Sequence, residues 1–356
     1  MIKVIGIDPG TKLWGIVGLE GRSIIYENSF PTKRIIDNPE LLINILNSIE
    51  NIDLIVAPSG YGIPITNIKD LTNEKIFELT LKRQEEGSQL VGLGKVIDLL
   101  IKKDYNAFFI PGVKLLPTIP KHRKINKIDM GTADKVCTAA LAIYDQSKHL
   151  NINYTDTNFI LLELGSGFTA VLGVEGGKIV DGIGGSSGPI GFISGGAIDG
   201  ELAYYIKNIK KSTIYQGGIT SIIGSSQVSP EEFNIMIEKD NKFKLAFDAF
   251  IESVIKNFKA MTISVKNPKE ILLSGRISYQ SKVKKALKEI LSDIAPVRNI
   301  KGLSGSQYTK EAAQGAALIA NGLAGGDFRS LVECMKLIEA KGSIFDDIYY
   351  KLPKRR

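Results

Sequence analysis

Apolar residues along this chain change their spacing in a set order, and both halves follow the same order. IKVIGID, from Ile2 to Asp8, is an almost unbroken apolar run, the pattern of a strand buried on both faces. LWGIVGLEG and RSIIYENSF follow as a hairpin, and PELLINILNSIE places apolar residues three to four apart, as a helix with one buried face does. IDLIVAP reads as a second buried strand. A helical region ending in LGKVIDLLIKK, a strand NAFFIPG, a Pro- and Lys-rich loop and a helix TADKVCTAALAIYDQ complete the half. The second half repeats the plan with strands NFILLEL, FTAVLGVEG and KIVDGIG, then a glycine-rich insertion over roughly 182–228. Helix FKLAFDAFIESVIKNFKA, strand EILLSG, helix SKVKKALKEILSDI, strand PVRNI and helix KEAAQGAALIANGLA close it. The expected class is α/β, with βββαβαβα written twice. That predicts domains at 1–150 and 151–330, a central cleft, and a helical tail over 331–356 that packs back on either half.

The repeat extends to single residues. GIDPGTKLWGIVGLEGRSI (Gly6 to Ile24) aligns without a gap on LLELGSGFTAVLGVEGGKI (Leu161 to Ile179), at an offset of 155 positions. Asp8 falls on Glu163, Gly10 on Gly165 and Thr11 on Ser166. The closing helices align without a gap at an offset of 177. Ala139-Ala140-Leu141 meets Ala316-Ala317-Leu318, and Asp134 meets Glu311. Each half therefore supplies an acid at a strand end and an acid at a helix start.

Tight glycine turns turn backbone N–H groups into a concave anion nest. Gly10, Gly165 and Gly167 let the chain approach phosphate oxygens, Thr11 and Ser166 add hydroxyl donors, and Lys12 adds a point charge. Asp8 and Glu163 would repel a bare phosphate, so their counterpart is Mg²⁺, which prefers carboxylate, water and phosphate oxygens. The pair of turns thus predicts Mg·NTP held between two halves. Competing glycine motifs fail on context. GSGFTA leads into a strand where a dinucleotide fingerprint needs a helix. GGSSG is followed by proline, with no histidine after it as a hydrolase triad requires. No P-loop sequence occurs, and His122 and His149 both lie beside lysines.

Composition narrows the class. A 44% hydrophobic content is enough for ordinary cores, no apolar run reaches 18 residues, and no membrane association is expected. MIKVIGID goes straight into a strand, and Cys137 and Cys334 lack metal-ligand spacing, so a reducing, cytoplasmic setting is expected. The net charge of +7 is spread over helix faces where lysines alternate with acids. The clusters KHRKINK and KLPKRR lack interleaved aromatics, which argues against nucleic acid as a partner. Lys121 and Arg123 are then either anchors for an anionic substrate or part of a solvated loop.

The two turns resemble the phosphate 1 and phosphate 2 motifs of the actin, sugar kinase and heat-shock ATPase superfamily. LLSGRIS (Leu272 to Ser278) resembles its adenosine motif, and GTADKVCTAALA and EAAQGAALIA resemble its connecting helices. LGSGFTAVLGVEGGKIVDGIGGSSGPIG is similar to the phosphate 2 region of acetate and butyrate kinases. The whole chain resembles the archaeal family called "predicted butyrate kinase". The resemblance implies two actin-like (ribonuclease H-like) domains and an ATP- and Mg²⁺-dependent kinase for a small hydroxyl- or carboxylate-bearing metabolite, such as butyrate. It leaves a homodimer open. Gly10, Thr11 and Lys12 would face Gly165, Ser166 and Gly167 across the phosphates, with Ser274, Gly275 and Arg276 at the adenosine. Asp8, Glu163 and Glu311 would serve the metal, and Asp134 would be the general base with Asp129 as the alternative. A first-turn acid such as Asp134 is also what the helix dipole favours. The acyl-phosphate arginine and histidine of acetate kinases have no counterpart here.

APSGYGIP follows a buried strand at its cleft end, which makes Ser59, Gly60 and Tyr61 substrate candidates; an ordinary turn has the same composition. The insertion reads equally as a lid or a surface loop. A rival function is an ATP-hydrolysing conformational switch acting on a partner protein.

Overall fold

The protein is described by a computed structural model over residues 1–81, 93–307 and 309–351. The first sheet comprises β1 (Lys3–Pro9), β2 (Leu13–Glu20), β3 (Ser23–Pro31), β4 (Leu54–Val56), β5 (Thr66–Asn67) and β6 (Ala107–Phe109), in spatial order β3-β2-β1-β4-β6-β5. The second comprises β7 (Asn158–Leu164), β8 (Thr169–Glu175), β9 (Lys178–Ile183), β10 (Glu270–Ser274) and β11 (Val297–Asn299), in order β11-β10-β7-β8-β9. In both, the hairpin strands pair antiparallel, while β1 with β4 and β7 with β10 run parallel. The short antiparallel β5 is an edge strand with no partner in the repeat and no forewarning in the sequence pattern.

The repeat seen in the sequence is a repeat of register. Asp8 lies opposite Gly15, and 155 positions on Glu163 lies opposite Ala170. Even the irregularity recurs, at Gly18/Leu19 in the first hairpin and Gly173/Val174 in the second.

Strand periodicity explains where each acid points. Side chains two apart share a face. Val4, Gly6 and Asp8 face the interior of the molecule, while Ile5 and Ile7 face an outer core with Trp14, Ile35 and Leu42. Likewise Phe159, Leu161 and Glu163 face inward, and Ile160, Leu162 and Leu164 join an outer core under helix Asn241–Met261. Two helices fill the space between the sheets: Ala133–Leu150, the first connecting helix, and Glu311–Leu323, the second. The second packs on β1, β2 and β4 although it is made some 250 residues later. The first is tied to the second sheet through Gln146 Nε2, which donates to Glu270 Oε2 at 3.0 Å, and through Arg298, which bridges Glu270 and Asp145.

Close approach at this centre depends on missing side chains. A methyl on Gly315 would lie 1.8 Å from the Cys137 carbonyl oxygen, and one on Gly6 would lie 2.2 Å from Ala317 N. Ala312, Ala313, Ala316 and Ala317 complete a seam of small residues.

The tail differs from its expected form. Among the described residues of the tail only Arg329–Cys334 is helical, and the chain then runs in turns over the first half of the molecule. Gly342 adopts φ +83°, and the carbonyls of Ile344 and Asp346 accept from Lys114 Nζ, each at 2.6 Å, instead of closing helical turns. The basic end of the tail, 352–356, and the stretch 82–92 of the expected helical region lie outside the described residues. Among the described residues no helix is long and apolar enough to cross a membrane.

Gly315→Ala should destabilise the protein by about 3 kcal/mol or more, since the overpacked methyl meets backbone and not a yielding side chain. Gly200→Ala, where nothing lies within 4 Å, should be near neutral. Urea denaturation midpoints of the two variants check the contrast.

Candidate functional site

The inward ends of β1 and β7 and the first turns of both connecting helices meet at one cleft of about 2670 Å³. The two glycine turns face each other across it: a methyl on Gly167 would sit 3.0 Å from Thr11 Oγ1. Gly10 packs so closely that a methyl there would lie 1.9 Å from Lys310 Nζ, and one on Gly165 would lie 2.9 Å from the Phe168 carbonyl oxygen. Lys12 and Ser166 line the same gap. These are close approaches that a Cβ would fill, although the Gly165 N–H is taken up by the Phe168 carbonyl at 3.0 Å and none of the three glycines has a positive φ.

The acids are neutralised by lysines. Lys135 is buried between Asp134 Oδ2 at 2.7 Å and Glu163 Oε2 at 2.6 Å. Lys310 Nζ lies 3.5 Å from Asp8 Oδ2 and donates to the Leu13 carbonyl at 2.8 Å. Burial pushes the Asp8 carboxyl up, with Lys310 opposing, and burial likewise raises Glu163 against Lys135. Burial would also raise Asp134, but Lys135 and the Thr132 hydroxyl outweigh it and hold Asp134 below the usual carboxylate range. Lys135 itself loses charge to burial in principle, yet its two carboxylates overcompensate and raise it. Glu311 accepts from Tyr279 Oη at 2.9 Å.

The other expected site residues divide into two groups. Ser59, Gly60, Tyr61, Asp129, Gly275 and Arg276 line the cleft. Ser59 is committed to backbone, donating to Ala57 O at 2.8 Å and accepting from Ile110 N at 3.0 Å. Gly60 adopts φ +50°, and a methyl there would lie 2.2 Å from the Leu79 carbonyl oxygen. The Asp129 carboxylate accepts from Gly131 N and Ser186 N, both at 3.0 Å, and from Ser186 Oγ at 2.9 Å, so it clamps the start of the insertion. The insertion is pinned again where Ile193 N and Ser194 N donate to the Gly167 carbonyl at 2.9 and 3.1 Å. Arg276 pairs with Glu231 at 2.8 Å.

Ser274, Lys121 and Arg123 are not brought to the cleft. Ser274 is fully buried beneath it. Lys121 is exposed and pairs with Asp347 at 3.4 Å, while Arg123 donates to the Val180 carbonyl at 2.6 Å and caps the edge strand β9. Residues that the sequence reading passed over do line it: Lys135, Lys310, Lys211, Tyr215 and Tyr279. Lys135 and Lys310 each adjoin an acid already singled out, which was the available signal.

The loop that delivers Lys310 and Glu311 is fastened from the first sheet. The Glu27 carboxylate accepts from the Ser306 hydroxyl, from Gln307 N at 2.8 Å and from Thr309 N at 3.0 Å. Burial would raise this carboxyl, but the hydrogen bonds prevail and hold it at about 2 against its usual 4.5.

The glycine turns and the ammonium groups of Lys12, Lys135 and Lys310 that line this cleft suit a phosphate-bearing ligand. Among the described residues no three His, Cys, Asp or Glu side chains are grouped to cage a metal. Mg²⁺ ordinarily takes one or two carboxylates together with phosphate oxygens and water, and Asp8 and Glu311 suit that mode.

Two parallel-cored sheets of one repeat enclosing two helices and a cleft define the actin-like ATPase fold. The chain belongs to the family described as "Protein of unknown function (DUF1464)", which matches residues 6–350. It is 25% identical over 272 residues to butyrate kinase 1 of Clostridium acetobutylicum, covering 70% of this chain and 74% of that one. Its fold matches a propionate kinase from Francisella tularensis with a TM-score of 0.64 at 14% identity, over 89% of this chain and 98% of that one. An acetate kinase from Entamoeba histolytica matches with a TM-score of 0.62 at 14% identity, over 82% and 86%.

Lys135→Met would leave two buried carboxylates without their cation and should cost about 3–5 kcal/mol in urea denaturation. Adding Glu163→Gln should recover part of that loss. The stability that Glu27 contributes is complete above 4.5 and is lost as pH falls toward 2, because its folded pKa is the depressed one. The stability gap between the wild type and Glu27→Gln should therefore narrow across that window in denaturation curves taken at successive pH values.

Proposed function

We propose that the protein is an ATP- and Mg²⁺-dependent phosphotransferase acting in the cytoplasm on a small metabolite that carries a hydroxyl or a carboxylate. The observation that carries this reading is the meeting of the repeated glycine turns, Thr11 against Gly167, inside a ring of acids and lysines. The butyrate kinase relative and the shared fold of propionate and acetate kinases support it.

Phosphoryl transfer asks the protein for positioning and charge neutralisation more than for covalent chemistry. Gly10, Thr11 and Lys12 would take the terminal phosphates from one side, and Gly165, Ser166 and Gly167 from the other. Gly275 and Arg276 would border the adenosine, with Ser274 supporting from beneath and Tyr279 beside Glu311. When bound, Mg²⁺ supplies charge neutralisation at the phosphates, and Asp8 and Glu311 are the acids that would hold it, with Glu163 behind Lys135. Lys310 and Lys135 supply fixed positive charge in a site partly shielded from water, where such charge counts for more.

Asp134 suits a hydroxyl acceptor as proton acceptor, although its lysine partner weakens it as a base. A carboxylate acceptor needs no base. The two repeats, 1–150 and 151–330, would then be the domains that close over the reactants.

ATP with Mg²⁺ should raise the thermal midpoint, and ADP release should depend on the acceptor in a panel of short acids, polyols and hydroxy compounds. Gly167→Val should weaken ATP binding by about tenfold or more, since its methyls enter the gap that the phosphates occupy. Asp134→Asn should keep ATP affinity and lose turnover on hydroxyl acceptors. Slow ADP release indifferent to every acceptor would favour a conformational switch, and no thermal shift with ATP would sink the phosphotransferase reading.

A further inference from the structure

The acids of the cleft do not all meet the same kind of partner. Asp8, Asp134 and Glu163 each face a lysine ammonium, whereas Glu311 is met by a phenol, Tyr279 Oη donating to its Oε1 at 2.9 Å. A lysine orients a carboxylate and offsets its charge. A neutral hydroxyl orients it and leaves the charge in place for a cation. The phenol's single proton takes one lone pair of Oε1, so the carboxylate keeps acceptor capacity on both oxygens.

The turn that carries Tyr279, Arg276–Tyr279, is fixed from three directions. Gly275 adopts φ +79°, and a methyl there would lie 2.4 Å from the Leu164 carbonyl oxygen and 2.9 Å from Gly165 N. The turn therefore rests directly on the second glycine turn. Ser278 is buried, donates to the Gly275 carbonyl at 2.7 Å and accepts from Asn299 Nδ2 of β11 at 2.8 Å. Arg276 adds two hydrogen bonds to Glu231, at 3.1 and 2.8 Å. Glu311 arrives from the other side, at the start of the helix that packs on β1, β2 and β4. The phenol thus joins a turn built on the second sheet to an acid carried on the first.

Building on the phosphotransferase reading, we infer that Tyr279 is a positioning residue for the cation of this site, its hydroxyl holding the Glu311 carboxylate in the orientation that receives Mg²⁺. An unrestrained glutamate arm would have to be ordered when the metal arrives, and Mg²⁺ tolerates little departure from its preferred geometry. Hydrogen bonds of this kind to a ligating carboxylate carry about 10–100-fold in metal affinity. Tyr279 lines the cleft and is 55% exposed, so Tyr279→Phe removes the hydroxyl and keeps the ring without opening a core.

Mn²⁺, which shares the preference of Mg²⁺ for carboxylate and water oxygens, serves as the probe. Its binding to the full chain is followed by the electron paramagnetic resonance of the free ion, with and without ADP, and metal-free ADP binding is followed by calorimetry. Tyr279→Phe should weaken Mn²⁺ by about tenfold or more and leave metal-free ADP affinity unchanged. In a Glu311→Gln background the same substitution should have no further effect, because the hydroxyl acts only through that carboxylate. Mn²⁺ affinity within about twofold of the wild type in Tyr279→Phe, or an equal loss in the Glu311→Gln background, would overturn the inference. So would a wild type that binds no Mn²⁺, or a parallel loss of metal-free ADP affinity, which marks a loosened turn. If Tyr279 governs Mn²⁺ through Glu311 but ATP gives no thermal shift, the positioning role stands and the phosphotransferase reading falls. If ATP·Mg²⁺ shifts the midpoint and ADP release follows the acceptor while Mn²⁺ ignores Tyr279→Phe, only the positioning role falls.

Discussion

Everything at the cleft depends on how closely two helices can approach between two sheets. The seam runs through Gly6, Gly315 and four alanines, and it holds because at Gly315 and Gly6 there is no side chain to keep backbone from backbone. Interiors are packed to crystal-like density and do not deform smoothly. A wider spacing at Gly315 would therefore displace the helix starts, and with them Asp134 and Glu311. The acids are placed by packing about one helical turn along from them.

The charges follow from the same geometry. Strand alternation turns Asp8 and Glu163 toward the seam, and helix starts bring Asp134 and Glu311 to meet them. Carboxylates gathered in a dry centre repel one another, and burial alone would protonate them. Lys135 and Lys310 resolve that conflict from within the same two helix starts. The outcome is a centre in which Lys135 and Lys310 are matched to the acids around them, while Asp134 is left ionised and weakly basic.

Much of this was legible in the sequence. Hydrophobic period and the gapless repeat gave the strands, the fold class and the pairing of the glycine turns, because register and turn chemistry are local properties that the chain writes out directly. Even the shared irregularity at Gly18 and Gly173 follows from residues that align. What stayed hidden were facts of partnership across long separations. Lys135 and Lys310 carry no signal of their own until the acids around them are known, and Asp129 read as an alternative base until the insertion folded back onto it. Lys121 and Arg123 looked suited to an anion by composition, but their partners are Asp347 and the edge of β9. The tail was expected to be helical, yet the carbonyls of Ile344 and Asp346 accept from Lys114.

The placement of helix Glu311–Leu323 on the first sheet also has a meaning for biosynthesis. Strands β1 to β6 are complete by Phe109, but the helix that covers their inner face emerges about 200 residues later. At ribosomal speeds of ~5–20 residues per second, the nascent chain carries an uncovered apolar sheet face for roughly 10–40 s. During that interval Val4, Val17 and Leu19 have no permanent neighbours on that side. The first half therefore gains its permanent inner cover only when helix Glu311–Leu323 has been made.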